Sequence, residues 1–323
     1  MSTALHSLVA DIGGTNTRVA LAQGTRLLTG TVTKFSNADH AGLEQVLSAF
    51  MATQDVTCAG ACVALAGPVR DGRGTMTNLD WQLDEDALTR ATGAQTACLL
   101  NDLQAQGHAL GHLPEGAVTP LVRSDRATRD PRAAKLVIGV GTGFNVAPVH
   151  ETPNGRYVPA SESGHVSLPA HSSDELQLAQ FLEDQHGFPA VEDMLSGRGL
   201  GRIYAWLSTQ AGTPRAADAA QVMAGVNDGS DPLATQAATL FVHMLGKVTG
   251  DQALIHLPFG GIFFAGGVAR ALAPHFGPLG FDAALRDKGR FAGFMGNFEV
   301  GLIEDDFAAL TGCATYLAGQ ITA

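Results

Sequence analysis

Residues 8–22 read Leu8-Val9-Ala10-Asp11-Ile12-Gly13-Gly14-Thr15-Asn16-Thr17-Arg18-Val19-Ala20-Leu21-Ala22. An apolar run, a glycine pair and an alternating β-prone run predict two strands joined by a Gly-rich tip. Adjacent glycines leave backbone N–H groups open to an anion, and the Thr15 hydroxyl can join them. Asp11 stands at the strand end, where a carboxylate can hold Mg2+ through water, because that ion dehydrates reluctantly. Alone, the same tip also reads as a plain hairpin turn. Two common phosphate-binding motifs are excluded. Gly13-Gly14 leads into a strand and not a helix, and the pair Gly246-Lys247 is followed by Val248 where Ser or Thr is required.

Working outward, the same grammar recurs after a polar stretch from Arg123 to Arg132. Lys135 to Val140 reads as a strand, Gly141-Thr142-Gly143 as its tip, and Phe144-Asn145-Val146-Ala147-Pro148-Val149 as the returning strand. This is a weak internal duplication, with the second hairpin opening a second domain. Further buried strands are expected over 61–66, 97–100 and 261–265, and a third N-terminal strand over 29–34. Leu43, Val46, Leu47 and Phe50 have helical spacing. Helices are also expected over 84–92, from Leu103 toward Leu110, and over 174–185, 199–210, 214–226, 232–257, 268–275 and 306–319. Strands alternating with helices in 323 residues predict an α/β chain of two domains facing each other across a cleft, the usual place for a ligand.

Three further groups stand out as candidates. Gly266-Gly267 follows a buried strand and precedes a helix, which makes a third phosphate-type turn. Asn101-Asp102 ends an apolar strand, where α/β folds place ligand-binding groups; it also reads as a helix N-cap, and the two readings are compatible. The loop Ser161-Glu162-Ser163-Gly164-His165 offers a carboxylate and an imidazole suited to neutral sugar hydroxyls, although it also reads as an exposed polar loop. Metal binding there has no zinc pattern to support it, the nearest further histidine being His171. Glu192 reads, from its own segment, as a surface helix residue.

Composition narrows the classes. A 45% apolar and 16% charged chain is not disordered, since disorder needs low hydrophobicity and high charge. Acids outnumber bases 31 to 20, for a net charge of −11. Nucleic-acid and anionic-membrane partners are therefore not expected, because both need a Lys/Arg surplus. Cys58, Cys62, Cys98 and Cys313 have no framework spacing and are expected to be buried free thiols. No basic leader and no apolar run near the ~20 residues of a membrane span are visible. A soluble, cytoplasmic protein is the expectation.

In family order, the chain carries Val9 to Asn16, Met76-Thr77-Asn78, Leu100-Asn101-Asp102-Leu103, Gly139-Val140-Gly141-Thr142-Gly143, Glu162-Ser163-Gly164-His165-Val166, Leu195-Ser196-Gly197, Phe264-Ala265-Gly266-Gly267 and Asp287-Lys288-Gly289-Arg290-Phe291. In these segments it resembles the bacterial ATP-dependent glucokinases of the hexokinase and actin-like superfamily. The resemblance implies a two-domain actin-like ATPase (ribonuclease H-like) α/β fold with an interdomain cleft. It implies a small domain of residues 1–110 completed by 302–323, and a large domain of residues 111–301. The implied reaction is phosphorylation of glucose at its 6-hydroxyl by ATP with Mg2+, in a homodimer, with Asp102 as general base. Asn101, Asp102, Glu162, His165 and Glu192 are implied to hold the sugar. Ala10, Asp11, Ile12, Gly13, Gly14, Thr15, Gly141, Thr142, Gly143, Gly266 and Gly267 are implied to contact ATP, and Asp11 to hold Mg2+ through water.

Other readings on the same fold are a kinase for another hexose or an amino sugar, a non-enzymatic sugar sensor, and a filament or chaperone ATPase. A sensor is expected to carry a helix-turn-helix ahead of the first hairpin, and a filament ATPase has no need of the paired sugar groups. The chain departs from the family pattern in three places. Ser161-Glu162-Ser163-Gly164-His165 stands where Gly-Glu-Gly-Gly-His is usual, and Asn145 stands where Gly is frequent. Residues 307–312 also lack the usual Pro-Gly-Leu-Leu-Gly. The related ROK sugar kinases add a Cys-rich zinc motif, which this chain does not have.

Overall fold

The computed structural model describes residues 5–76, 79–124, 126, 128 and 130–321; Thr77 and Asn78 of the Met76-Thr77-Asn78 segment lie outside the described residues. The chain divides into two units, Met1–Ala117 with Thr152–Ala160 and Asp305–Ala323, and Val118–Glu151 with Ser161–Glu304.

In the first unit, β1 (His6–Ile12) and β2 (Asn16–Gln23) form an antiparallel hairpin around Gly13-Gly14-Thr15. β3 (Arg26–Leu27) and β4 (Thr33–Ser36) both pair with β2. Residues 29–34 are therefore not one strand. Thr29–Thr31 is a 3-10 turn, in which the Thr31 hydroxyl donates to the Leu28 carbonyl at 2.7 Å and accepts from the Leu21 N–H at 2.9 Å. Local side-chain bonds of this kind compete with a ladder. α1 (Leu43–Met51) buries Leu43, Val46, Leu47 and Phe50, the face its spacing predicts.

β5 (Cys58–Leu65) lies parallel to β1, and β6 (Val69–Arg70), β7 (Arg73–Thr75) and β8 (Gln82–Asp84) make a small separate sheet. α2 (Glu85–Thr92) starts at Asp84, whose carboxylate accepts from the Ala87 N–H at 2.6 Å. β9 (Thr96–Asn101) is parallel to β5 and runs straight into α3 (Asp102–Ala109). The sheet order is β3-β2-β1-β5-β9.

The second sheet starts from β10 (Val118–Val122), β11 (Lys135–Val140), β12 (Phe144–Thr152) and β13 (Gly155–Tyr157). Helices α4 (Ser173–His186), α5 (Val191–Met194), α6 (Gly197–Gln210), α7 (Ala219–Asp228) and α8 (Pro232–His256) follow. β14 (Ile262–Ala265), α9 (Gly267–Leu272), α10 (Phe281–Arg286) and β15 (Val300–Ile303) complete that unit. α11 (Ala308–Ile321) returns to the first. The order β10-β15-β14-β11-β12-β13 contains the same arrangement as the first sheet, a hairpin whose first strand is followed, on the side away from its hairpin partner, by two strands parallel to it. β2-β1-β5-β9 corresponds to β12-β11-β14-β15, which gives the duplicated grammar of the sequence a structural counterpart.

Three further elements differ from the sequence expectation. β10 and β15 pair antiparallel although neither run alternates clearly; Pro120 sits in β10 at the sheet edge, where its missing N–H costs no ladder bond. α7 begins at Ala219 rather than near Pro214, because the Asp218 carboxylate accepts from the Gln221 N–H at 2.8 Å and fixes the helix start there. Residues 213–218 ahead of it form no regular element, and the Arg215 N–H donates to the Ser208 hydroxyl at 2.9 Å.

The core of the second unit is built around Phe241, Phe264, Phe281 and Phe298, all fully buried, with Phe276 and Phe281 stacked 4.7 Å apart. Burial of such a ring is worth about 1.5–3 kcal/mol. The four cysteines are all buried and free. Burial raises the thiols of Cys58, Cys62 and Cys98, to about 11 for Cys58 and about 12 for Cys98, so they are poor nucleophiles. Among the described residues, no helix is long and apolar enough to cross a membrane.

Candidate active site

Strand register gathers the first unit's candidates on one edge. Ile12 pairs with Leu65, and Leu65 with Asn101, so β1, β5 and β9 end level. The Gly13-Gly14-Thr15 tip and Asn101-Asp102 thus leave the sheet at the carboxyl ends of its parallel strands. Ala10 and Ile12 are buried in β1, whereas Gly14 and Thr15 are exposed.

A residue without any sequence signal holds the tip. Asn37 is buried, its Nδ2 donates to the Gly13 carbonyl at 2.8 Å, and its Oδ1 accepts from the Thr17 hydroxyl at 2.8 Å. Its backbone N–H donates to the Thr15 carbonyl at 2.9 Å. Asn37 is far from the tip in sequence and is brought to it by β4, so no local pattern marks it. Asp11 lies beside Arg18, whose Nη1 is 3.6 Å from its carboxylate. Burial raises the Asp11 carboxyl above its ordinary value, and the Arg18 guanidinium pulls it back down.

Asn101 and Asp102 divide two tasks between them. Asn101 caps α3: its Oδ1 accepts from the Leu103 N–H at 3.0 Å and its N–H donates to Gln104 Oε1 at 3.1 Å. Its Nδ2 donates to the Gly67 carbonyl at 3.1 Å, tying the end of β9 to the turn after β5. Asp102 is the first residue of α3, half-buried, and one carboxylate oxygen accepts from the Leu103 N–H at 2.8 Å. α3 is backed by α11, where an added Cβ on Gly312 would lie 1.6 Å from the Ala105 carbonyl oxygen. Gln104 Nε2 donates to the Val158 carbonyl at 2.8 Å, and Arg156 caps α3 through the carbonyls of Gly107, His108 and Leu110.

In the second unit, Gly139 pairs with Ala265, so the tip Gly141-Thr142-Gly143 and Gly266-Gly267 leave the sheet together. Gly266 has φ +102° and an added Cβ there would meet the Val140 carbonyl oxygen at 2.5 Å; only glycine fits. The tip is closed by the Gly141 N–H donating to the Gly143 carbonyl at 2.9 Å, and anchored to α6 by the Gly197 N–H donating to the Gly141 carbonyl at 2.8 Å.

Beside it lies a cavity of about 830 Å3, lined by Gly141, Thr142, Gly267, Arg198, Arg202 and small residues from Gly197 to Ala220. Its alanines come from α6 (Ala205), from the run ahead of α7 (Ala216 and Ala217) and from the first turn of α7 (Ala219 and Ala220). Gly201 lets α6 approach that run, since a Cβ would lie 2.6 Å from the Ala217 carbonyl oxygen. Arg202 is held in the wall by Asp193, 3.2 Å away. The alanines and arginines of this wall follow no motif, and sequence reading missed them.

Glu192 is the main surprise of this unit. It is half-buried on α5, and its Oε2 accepts from the Phe144 N–H at 2.9 Å, directly after the second tip. Its other oxygen is 3.4 Å from Arg198. A Cβ on Gly143 would lie 2.4 Å from Glu192 Oε2, and one on Gly164 would lie 3.3 Å from the Glu192 Cβ. Glu192 therefore touches both the tip and the Glu162–His165 loop. That loop is a 3-10 turn, Ser163–His165, with Gly164 buried and the Glu162 and His165 side chains exposed. Gly164 is required there, as a Cβ would lie 2.1 Å from the Phe144 carbonyl oxygen.

The structure thus brings Glu162, His165 and Glu192 to the second tip, and Asn101-Asp102 to the first. Known proteins share this fold. The glucokinase of Cupriavidus metallidurans is 32% identical over 98% of this chain and 94% of its own. A glucokinase structure from an Antarctic psychrotroph superposes with a TM-score of 0.85 at 28% identity, covering 97% of this chain and 98% of that one. The glucokinase of Balamuthia mandrillaris, solved in complex with glucose, shares the fold with a TM-score of 0.81 at 22% identity, over 98% and 95% of the two chains. A sequence model of the glucokinase family matches residues 8–320. The chain belongs to the glucokinase family of hexose kinases.

Proposed function

We propose that this chain transfers the γ-phosphoryl group of ATP to the 6-hydroxyl of glucose, giving glucose 6-phosphate and ADP, with Asp102 receiving the hydroxyl proton. The observation that carries the reading is Glu192, one carboxylate in contact with both a phosphate-type tip and the sugar-type loop. In this reading Glu162, His165, Glu192 and Asn101 hold sugar hydroxyls, which accept from or donate to carboxylate, imidazole and amide alike. The cavity beside Gly141, Thr142 and Gly267 takes the nucleoside, and its alanine wall suits a flat purine. The two tips and Gly266-Gly267 supply backbone N–H groups to the phosphates.

As the hydroxyl oxygen bonds to the γ-phosphorus, the bond to the bridging oxygen breaks and ADP leaves with its electron pair. The transition state is loose, so Asp102 orients the hydroxyl and accepts its proton late. General-base assistance is worth about 10²–10⁴-fold. Asp11 is a single carboxylate, and among the described residues no three His, Cys, Asp or Glu side chains gather as a metal cage. That donor set fits Mg2+ carried by the ATP phosphates and its own waters, with Asp11 accepting from one of them. When bound, Mg2+ neutralises charge on the phosphate oxygens. In line with the family resemblance, the proposal includes a cytoplasmic homodimer.

The test is ADP release across a panel of hexoses and amino sugars. Glucose should give the highest turnover, and Asp102→Ala should lower kcat by at least about a hundredfold while glucose still binds. Equal turnover in wild type and variant would remove Asp102 from the role of base; a different preferred sugar would change the substrate.

A further inference from the structure

Asn145, Ser161 and Ser163 are the places where the sugar side of this chain departs from the family pattern, and the structure joins them. Asn145 is the second residue of β12, one position after Phe144, and is half-buried. Its Nδ2 donates to the Ser161 carbonyl at 2.5 Å, and its Oδ1 accepts from the Ser163 N–H at 3.0 Å. The same Oδ1 accepts from the Val146 N–H at 2.8 Å, which locks the side-chain rotamer. The Ser161 and Ser163 hydroxyls are bonded to each other at 2.6 Å, so the extra hydroxyl of Ser163 is occupied within the loop.

The carbonyl of residue 161 and the N–H of residue 163 flank Glu162 on either side. A single carboxamide that pairs with both acts as a neighbouring strand would, and closes a ring around the Glu162 backbone. That ring restrains the two torsions of Glu162, which stand at φ −127° and ψ 49°. Glycines at 161 and 163 would leave the segment freer, since glycine gives up more conformational freedom than any other residue when ordered. Asn145 and the two serines restrain the segment before a ligand arrives, and preorganisation lowers the cost of binding.

We infer that Asn145 is a positioning residue that sets the Glu162 backbone for sugar binding, so that successive residues of β12, Phe144 and Asn145, hold Glu192 by its carboxylate and Glu162 by the backbone on either side of it. The inference rests on the sugar role proposed for Glu162. It assigns to Asn145 an effect on sugar affinity, separate from the nucleotide and from the chemical step.

The experiment compares wild type, Asn145→Ala, Asn145→Asp and Ser163→Gly, using initial rates with the best-used hexose and with ATP, and thermal melts. Asn145→Ala should raise the sugar KM by about fivefold or more, the worth of an ordinary hydrogen bond, with the ATP KM within about twofold. Asn145→Asp keeps the acceptor for the Ser163 N–H but loses the donor to Ser161, and should give a sugar KM between those of wild type and Asn145→Ala. Ser163→Gly, which frees the loop without touching β12, should raise the sugar KM in a protein that melts as the wild type does. This second variant decides the matter if Asn145→Ala does not fold. An unchanged sugar KM in Ser163→Gly and the Asn145 variants overturns the inference, as do sugar and ATP KM values that rise together with no recovery in Asn145→Asp. Wild type whose ADP release is stimulated by no hexose overturns the kinase reading itself, a result seen before any variant is made.

Discussion

Glu192 shows how much one side chain can decide at the scale of a residue. Its carboxylate accepts the Phe144 N–H and faces Arg198, so truncation strands a backbone donor and frees a guanidinium that lines the cavity. Leaving a part-buried donor unpaired costs about 1–3 kcal/mol. Glu192→Ala should therefore lower kcat/KM for the sugar by about tenfold or more, measured from initial rates at saturating ATP. A variant with wild-type kcat/KM would show that the Phe144 bond is structural ornament. Nothing in Val191-Glu192-Asp193-Met194 marks this residue, because its partner lies in a strand 48 positions away. Asn37 is hidden for the same reason. Asp11, Asn101 and Asp102, by contrast, stand at strand ends, and a strand end is visible locally as an apolar run that stops at a polar side chain.

At the scale of elements, α3 is held from behind by α11, with Gly312 against the Ala105 carbonyl at a separation no Cβ can share. Residues 307–312 lack the family's usual Pro-Gly-Leu-Leu-Gly, yet Gly312, the position that governs the approach of the two helices, is present. Gly312→Ala should push α3 off α11 at a cost of about 1–3 kcal/mol or more, the usual penalty for overpacking. Because Asp102 is the first residue of α3, turnover should fall together with the melting temperature. A variant that melts as wild type and turns over normally would show that the helices can part without moving Asp102. Helix and strand positions were largely legible, since apolar spacing at Leu43, Val46, Leu47 and Phe50 needs no distant partner to be read. The failures were where a side chain intervened: Thr31 breaking the run at 29–34, and Asp218 delaying α7.

On the scale of the whole molecule, charge and pH set the limits of the fold. Burial pushes the Glu175 carboxyl up, but Lys247 and the N–H groups of Ser172 and His171 outweigh it and bring the group down to about 2. A carboxyl with a folded value of about 2 and an ordinary value of 4.5 stabilises the fold above that ordinary value, and loses the contribution as pH falls toward 2. The pair joins α4 to α8 across the second unit. The melting-temperature gap between wild type and Glu175→Gln should thus be wide at neutral pH and close progressively between about pH 4.5 and 2. A gap that stays constant over that range would mean that the pair carries no net charge effect. By itself the sequence determined the α/β class, the duplicated Gly-rich hairpins and the order of the motifs, because periodicity and turn chemistry are local properties. Only the tertiary structure decided which strand ends are level, which alanines wall the cavity, and that Asn37, Asn145 and Glu192 hold the first Gly-rich tip, the 161–165 loop and the second Gly-rich tip. Those outcomes depend on hydrogen bonds between residues far apart in the chain, which no local pattern encodes. The tip from Asp11 to Thr15 could be read from residues 8–22, but what fastens it is Asn37, a buried amide reached only through β4.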